Sequence, residues 1–210
     1  MRVRSLDRFS SERWNAKVWA NLAIKEDFKW AHSKIEDSTG ILLLKSMAWE
    51  INDASLIINT DACPTGMGFW YPVAKRGFTS PTPPNTPSSL NNFYEALTVL
   101  CVLHHAHQIL PRGSRIVIYT DSFTAVTIFN SFRSSPDYSC ILKAAVDILL
   151  AGDHSLRVLH VPGDLNNEAD ALSRGDLMRV LQLQPGLTIR QFHPYERQER
   201  RQSLPLLRPP

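Results

Sequence analysis

One short stretch, residues 116–122 (IVIYTDS), limits the possible folds of this chain more than any other. Its first four residues are apolar and mostly β-branched or aromatic, which predicts a strand buried on both faces. The strand runs directly into Asp121, and a helical pattern starts immediately afterwards. A carboxylate at the end of a buried strand is costly unless a bound metal or a helix N-terminus stabilises its charge. The stretch therefore predicts an α/β domain with Asp121 at the functional end of its central strand.

Composition bounds the class of protein. The 210 residues suffice for one full domain with flanking segments, and a hydrophobic fraction of 43% with 20% charged residues is ordinary for a globular protein. A net charge of +3 makes only a weak case for a nucleic-acid partner. Cys63, Cys101 and Cys140 lie far apart, which suits a reducing compartment. No apolar run reaches the ~18 residues of a membrane span, and no signal region precedes the domain, so we expect an intracellular protein without a membrane partner.

The order of the predicted elements indicates a mixed sheet. Two strands joined by a Pro-Gly turn form a hairpin near the start, and strands alternate with helices later in the chain. The predicted strands are 56–60, 67–71, 116–120 and 156–161 with an edge strand near Phe78, and the predicted helices are 91–110, 122–132, 137–151 and 167–181. This order predicts an α/β fold whose mixed five-stranded sheet has helices on both faces.

Composition shifts divide the chain into three expected parts. Residues 1–50 form an N-terminal helical, connection-like segment, because apolar residues recur at helical spacing from Trp14 onwards. Residues 51–181 form the α/β domain. Residues 182–210 contain Pro185, Pro194 and several arginines, which predicts a basic tail or linker.

Four carboxylates fall at ends of the predicted elements. Asp61 leaves the first strand and Asp121 the central one, whereas Glu95 and Asp170 lie in the first turns of two helices. Each alone has a simpler explanation as an Asx turn or a helix cap. Together they would converge at one end of the sheet and repel by several kcal/mol unless cations were present. Oxygen-only ligands suit Mg²⁺ or Mn²⁺, and a pair of ions ~4 Å apart suits phosphodiester hydrolysis.

Four motifs in this order resemble the ribonuclease H domain of retrotransposon reverse transcriptases, of the DIRS-like or gypsy-like type. They are residues 57–70 (IINTDACPTGMGFW), 93–100 (FYEALTVL), 116–126 (IVIYTDSFTAV) and 159–174 (LHVPGDLNNEADALSR). The last string is the most specific. The resemblance covers about residues 51–180 and implies a ribonuclease H-like fold.

The resemblance implies a metal-dependent endonuclease that hydrolyses the RNA strand of RNA–DNA hybrids, with the polymerase domain of the parent polyprotein as its partner. Asp61 and Asp170 would hold one of two Mg²⁺ or Mn²⁺ ions, and Asp61, Glu95 and Asp121 would hold the other. All four acids would be catalytic. The product would carry a 5′-phosphate and a 3′-hydroxyl. Substrate contacts are expected at Ala62, Cys63, Gly66, Ser122, Thr124 and Asn166.

Two departures from the family pattern leave alternatives open. The loop 163–166 has no histidine before the last acid, and His160 falls in the preceding strand. The link 130–137 is too short for the basic handle of isolated family members. A catalytically silent ribonuclease H-like module, which binds nucleic acid or serves as a structural part of a decayed retroelement, is therefore the second hypothesis. A resolvase or transposase of the same fold is the third.

Overall fold

The computed structural model describes residues 21–37, 49–83 and 91–195. The chain divides into two compact units, residues 1–40 and 41–210. In the first unit, helix α1 (Leu22–Asp37) begins where the Asn21 side chain accepts a hydrogen bond from the Ile24 amide. The helix lies in the segment that was predicted to be helical from residue 11, and residues 11–20 lie outside the described residues. Across the described ranges, no helix is both long and apolar enough to span a membrane.

The second unit contains six strands and five helices among its described residues. They are β1 (Leu56–Cys63), β2 (Gly66–Tyr71), β3 (Arg76–Pro81), α2 (Asn91–Ile109), β4 (Arg115–Thr120), α3 (Phe123–Ser131), α4 (Ser139–Gly152), β5 (Ser155–His160), α5 (Asn167–Ser173), α6 (Leu177–Leu183) and β6 (Thr188–Gln191). All five predicted strands and all four predicted helices are present. The predicted last helix is broken in two near Gly175, whose φ of 69° does not fit an α-helix.

The sheet has the strand order β5-β4-β1-β2-β3-β6. The β1–β2 and β2–β3 pairs are antiparallel, whereas β1–β4, β4–β5 and β3–β6 are parallel. The predicted mixed sheet is therefore confirmed, with six strands instead of five. Its register pairs Asn59 with Tyr119, so the residues two positions further along, Asp61 and Asp121, leave the same end of neighbouring strands.

Both faces of the sheet are covered by helices, as predicted. Alternate residues of β2 enter different hydrophobic clusters: Phe69 belongs to the cluster that includes residues of α2, α3 and α4, whereas Trp70 belongs to the one that includes Leu172 of α5 and Val180 of α6. Because successive side chains of a strand point to opposite faces, β2 contributes to the hydrophobic packing on both sides of the sheet.

Helix α5 lies unusually close to the backbone of β2. A Cβ atom on Gly66 would lie 2.2 Å from the carbonyl oxygen of Ser173, and one on Gly68 would lie 2.4 Å from the amide nitrogen of the same residue. Only glycine permits this approach. The two glycines of the second strand therefore set the position of the helix that carries Asp170.

Residues on both sides of the range 51–181 also pack on the second unit. Trp49, assigned to the N-terminal segment, is buried in the second unit with the Arg157 guanidinium 4.4 Å from its ring centroid. Residues 188–191, assigned to the tail, form β6 on the edge of β3. Phe192 and Tyr195 then pack on the main core. A four-residue strand that pairs to an exposed sheet edge leaves little pattern in the sequence. Residues 196–210 lie outside the described residues.

Candidate functional site

Three of the four predicted acids meet at one end of the sheet. One carboxylate oxygen from each of Asp61, Glu95 and Asp121 lies within 4.8 Å of the other two. Asp61 and Glu95 are buried, and Asp121 is partly exposed. The cluster is thus open to solvent on the side of Asp121.

Strand register and helix packing bring these three acids together. Asp61 and Asp121 come from the neighbouring parallel strands β1 and β4, and Glu95 comes from the first turns of α2. Glu95 Oε1 accepts a hydrogen bond from the Ala62 amide at 3.1 Å, and its Oε2 accepts one from the Thr120 hydroxyl at 3.4 Å. The Glu95 carboxylate therefore bridges the ends of both strands, which fixes it between the other two acids.

The cluster carries more negative charge than its surroundings neutralise. Burial, with the charges of Asp61 and Asp121, raises the pKa of Glu95 to about 9. Burial also raises the pKa of Asp61 to about 6, against a lowering effect from the Ser173 hydroxyl, which donates a 2.6 Å hydrogen bond to Asp61 Oδ2. Acids whose pKa values are raised in this way by burial and neighbouring charges are typical of functional sites.

The donor set fits a hard divalent cation. All three groups are carboxylates, the ligands that Mg²⁺ and Mn²⁺ prefer, and their oxygens converge within one coordination sphere. The same negative charges that raise the pKa of Glu95 would favour a cation in place of its proton. Two of the three side chains are held by protein hydrogen bonds, so they are positioned before any ligand arrives.

Asp170 stands apart from the other three acids. Its Oδ1 accepts a 2.6 Å hydrogen bond from Arg174 Nε, and its Oδ2 accepts a 3.0 Å hydrogen bond from Arg179 Nη1. It is near enough to Asp61 for its charge to raise the pKa of that acid. The role of Asp170 as a ligand of a second ion therefore stays a prediction.

The predicted substrate contacts on the hairpin are buried. The Ala62 amide is used by Glu95, the Cys63 thiol donates to the Ser173 carbonyl at 3.4 Å, and Gly66 lies under the same carbonyl. Their positions support a structural role in packing α5 rather than exposure to a ligand.

The other three predicted substrate contacts differ among themselves. Ser122 is buried and caps α3 by accepting a hydrogen bond from the Ala125 amide, whereas Thr124 is partly exposed in the first turn of α3. Asn166 is buried, and its amide group donates a 2.8 Å hydrogen bond to the Thr60 carbonyl. Asn166 therefore ties the loop before α5 to β1, which a substrate contact would not require.

The loop after β5 lies beside the acid cluster. A Cβ atom on Gly163 would lie 3.3 Å from Asp121 Oδ2, so this residue packs against the carboxylate. His160 is the last residue of β5, and its ring stacks on Phe123 with centroids 3.8 Å apart. It occupies the strand, as expected, and the loop itself carries no histidine.

The sequence analysis assigned no role to three residues that contact Asp61 or Asp170. Arg174 follows Asp170 by four positions on a helical pattern, and that spacing is a usable signal for an ion pair. Ser173 has only its place in the motif after Asp170 to indicate a role. Arg179 gives no local signal, because it belongs to the next helix and reaches Asp170 through the packing of α6.

Comparison with known proteins gives structural matches only. No family model matches the sequence, and no curated protein matches it. The ribonuclease H1 of the archaeon Halobacterium salinarum NRC-1 is 18% identical over 59% of this chain and 97% of its own, with a TM-score of 0.48. LC11-RNase H1, solved in complex with an RNA/DNA hybrid, is 18% identical over 56% of this chain and 93% of its own, with a TM-score of 0.46. The foamy viral protease–reverse transcriptase, also solved with an RNA/DNA hybrid, is 17% identical over 60% of this chain and 20% of its own, with a TM-score of 0.42.

Proposed function

We propose that this protein is a metal-dependent endonuclease that hydrolyses the RNA strand of RNA–DNA hybrids. The observation that carries the proposal is the convergence of the Asp61, Glu95 and Asp121 oxygens within 4.8 Å at one end of a ribonuclease H-like sheet. The motifs that resemble retrotransposon ribonuclease H domains contain these same three residues. An oxygen-only cluster on such a sheet suits phosphodiester hydrolysis assisted by Mg²⁺ or Mn²⁺.

The three acids would divide the work according to their surroundings. Asp61 has one oxygen fixed by Ser173, which leaves the other for a cation. Glu95 would lose its proton on metal binding and remain oriented by the Ala62 amide. Asp121 is the acid nearest to solvent, so it would face the phosphodiester that enters the site. A divalent cation held there would supply Lewis-acid activation of a water and offset the charge of the phosphate.

The test uses the full chain, a hybrid labelled on its RNA strand, and Mg²⁺ or Mn²⁺. We expect cleavage of the RNA strand only, leaving 5′-phosphate ends, and no cleavage of duplex DNA. Asp121→Asn should abolish the cleavage because it removes a metal ligand while conserving shape.

Asp153→Asn is the matched control. Asp153 follows α4 at the start of β5, the opposite end of the sheet from the acids, and its left-handed φ of 54° suits asparagine. Equal cleavage by the wild type and Asp153→Asn, with none by Asp121→Asn, would support the proposal. Equal inactivity of all three beside an active ribonuclease H control would refute it.

The second candidate is a catalytically silent ribonuclease H-like module. One observation favours it: both oxygens of Asp170 are occupied by arginines, so only three acids are free to share a cation. Metal binding separates the candidates. A silent module would bind hybrid without Mn²⁺ and show the same melting midpoint with and without it, whereas the nuclease should melt at a higher temperature with Mn²⁺.

The wider setting of the activity also rests on the resemblance. We propose that the domain acts beside the polymerase domain of a reverse transcriptase, as part of a retroelement polyprotein. The hybrid substrate would then arise during reverse transcription, which implies an intracellular site of action. A pull-down of a co-expressed retroelement polymerase domain by this chain would support the partnership, and its absence from the bound fraction would count against it.

A further inference from the structure

The fourth acid is held by two arginines that come from different helices. Arg174 lies four residues after Asp170, so its contact with Oδ1 is an i,i+4 pair within and just beyond α5. Arg179 belongs to α6, and its contact with Oδ2 crosses from one helix to the next. A second nitrogen of Arg179, Nη2, donates a 3.0 Å hydrogen bond to Asn167 Oδ1. The Arg179 guanidinium is therefore fixed at two points on α5.

The packing of α6 delivers Arg179 to this position. The helix begins at Leu177 and is capped by Asp176, whose side chain accepts a hydrogen bond from the Arg179 amide at 3.1 Å. Val180 is fully buried against Leu172 of α5. At the other end, Gln184 donates a 2.8 Å hydrogen bond to Glu168. Because these contacts anchor α6, the helix stays in place without the contact between Arg179 and Asp170.

The two arginines change what Asp170 can offer to a cation. Each carboxylate oxygen already accepts a charge-assisted hydrogen bond, and two positive charges stand beside a carboxylate that is only 24% exposed. A cation that approaches from the side of Asp61 would have to displace one of these donors and would be repelled by the other. Among the described hydrogen bonds and ion pairs, no guanidinium contacts Asp61, Glu95 or Asp121, so a cation there displaces no arginine, although the charge of Arg174 reaches Asp61.

We propose that Arg179 is a positioning residue that competes with a divalent cation for Asp170. This inference rests on the proposed function. In the arrangement described, the Asp61–Glu95–Asp121 cluster binds a first ion readily, and Arg179 keeps the Asp61–Asp170 side of the site in a weak-binding state. A second ion binds there only when Arg179 releases Oδ2. Arg174, the partner that is nearer in the sequence, remains bonded to Oδ1 and orients the Asp170 carboxylate.

The experiment counts Mn²⁺ ions bound to the full chain by electron paramagnetic resonance of free Mn²⁺ during a titration, without substrate. The wild type should show one tighter and one weaker binding phase. Arg179→Met removes the charge and conserves most of the volume. It should tighten the weaker phase about fivefold, the scale of a partly exposed ion pair, and leave the tighter phase unchanged.

Two further variants separate competition from a loss of structure. Gln184→Met removes the other side-chain hydrogen bond between α5 and α6 without touching Asp170, so both phases should match the wild type. Asn167→Ala removes the second anchor of Arg179, together with the hydrogen bond that the Asn167 amide donates to the Asp164 carbonyl, and should tighten the weaker phase by less than Arg179→Met does. A change in both phases, or an equal change in Gln184→Met, would show that α6 acts through the fold and would overturn the inference.

The outcomes also separate this inference from the proposed function. If the wild type and Asp121→Asn bind no Mn²⁺, the proposed function and the inference both fail. If the tighter phase is present and lost in Asp121→Asn, the metal site stands. The inference alone then fails if Arg179→Met leaves the weaker phase unchanged or weakens it, because weaker binding would mean that Arg179 supports Asp170 as a ligand.

Discussion

At the scale of single residues, the site is a set of two buried acids and one partly exposed acid whose charge the protein itself leaves uncompensated. Glu95 accepts two hydrogen bonds, yet burial and the neighbouring acids still raise its pKa to about 9. A proton or a cation must therefore accompany the folded site at neutral pH. This arrangement costs stability in the metal-free protein, which is expected where selection acts on function.

Replacing Glu95 with glutamine should separate these two effects. The glutamine carbonyl can still accept the Ala62 hydrogen bond, and the residue brings no charge into the cluster. We expect the metal-free variant at pH 8 to be more stable by about 1 kcal/mol, or about 3 °C in Tm, and to bind Mn²⁺ far more weakly. Calorimetric melting with and without Mn²⁺ measures both changes. A less stable variant that retains Mn²⁺ affinity would contradict the view that Glu95 is a metal ligand whose buried charge destabilises the metal-free protein.

Ser173 should control how far Asp61 is ionised, and therefore available to a cation, at neutral pH. Its hydroxyl lowers the pKa of Asp61, so Ser173→Ala should raise that pKa further above about 6 and leave Asp61 more often protonated at neutral pH. We expect Mn²⁺ affinity to fall about threefold at pH 6.5 and hardly at all at pH 8.5, measured by isothermal titration calorimetry. Ser173→Cys, which keeps a weaker donor of similar size, should lie between the two. An affinity loss that is equal at both pH values would count against this role.

At the scale of elements, the position of α5 decides how the C-terminal motif meets the acids. Gly66 and Gly68 let the helix backbone touch β2, and this contact places Ser173 against Asp61. The helix ends at Ser173, and the chain turns into α6 at Gly175. Two glycines on a strand therefore determine the geometry of residues more than a hundred positions later in the sequence.

Gly68→Ala should displace α5 and disturb the site. The added Cβ would lie 2.4 Å from the Ser173 amide nitrogen and 2.6 Å from Leu172 Cβ, so the helix must move. We expect a loss of about 2–3 kcal/mol in the free energy of unfolding, measured by urea denaturation, together with weaker Mn²⁺ binding. Gly175→Ala is the comparison: its Cβ meets nothing within 4 Å, so only the backbone strain at φ 69° remains, about 1 kcal/mol. Equal losses in the two variants would argue against the close-packing explanation.

Sequence patterns predicted elements whose signals are local and missed those that depend on tertiary contact. The ends of β1 and β4 were predictable because buried β-branched runs stop at Asp61 and Asp121, and parallel pairing then brings the two acids together. Strand β6 was not, because its four residues owe their conformation to the edge of β3. The arginine contacts of Asp170 depend on how α6 packs, which no periodicity records.

At the scale of the whole molecule, the pH dependence of stability should report the acid cluster. An acid whose pKa is higher in the folded state than in the unfolded state makes stability fall as pH rises between those two values. For Glu95 that interval runs from 4.5 to about 9, and for Asp61 from 3.8 to about 6. His104, His105 and His154 act in the opposite direction up to about pH 6.5, because burial lowers their pKa values. The interval from pH 7 to pH 9 therefore isolates Glu95.

We expect the Tm of the metal-free protein to fall between pH 7 and pH 9, measured by differential scanning fluorimetry in chelator-treated buffer. Mn²⁺ should flatten or reverse the slope, because a bound cation takes the place of the proton on Glu95. Glu95→Gln should show little slope without metal. A wild-type Tm that is constant over this interval, or that rises, would show that folding does not raise the pKa of Glu95.

The most direct measurement is calorimetric titration of the full chain with Mn²⁺ at pH 7.5 in two buffers of different ionisation enthalpy, which yields both affinity and proton release. Binding at the Asp61–Glu95–Asp121 cluster should release about one proton, because Glu95 holds one when the site is metal-free. Asp153→Asn should behave as the wild type, and Asp121→Asn should lose the binding. Mn²⁺ binding that is absent from the wild type, or that survives unchanged in Asp121→Asn, would contradict a metal centre built from these three acids.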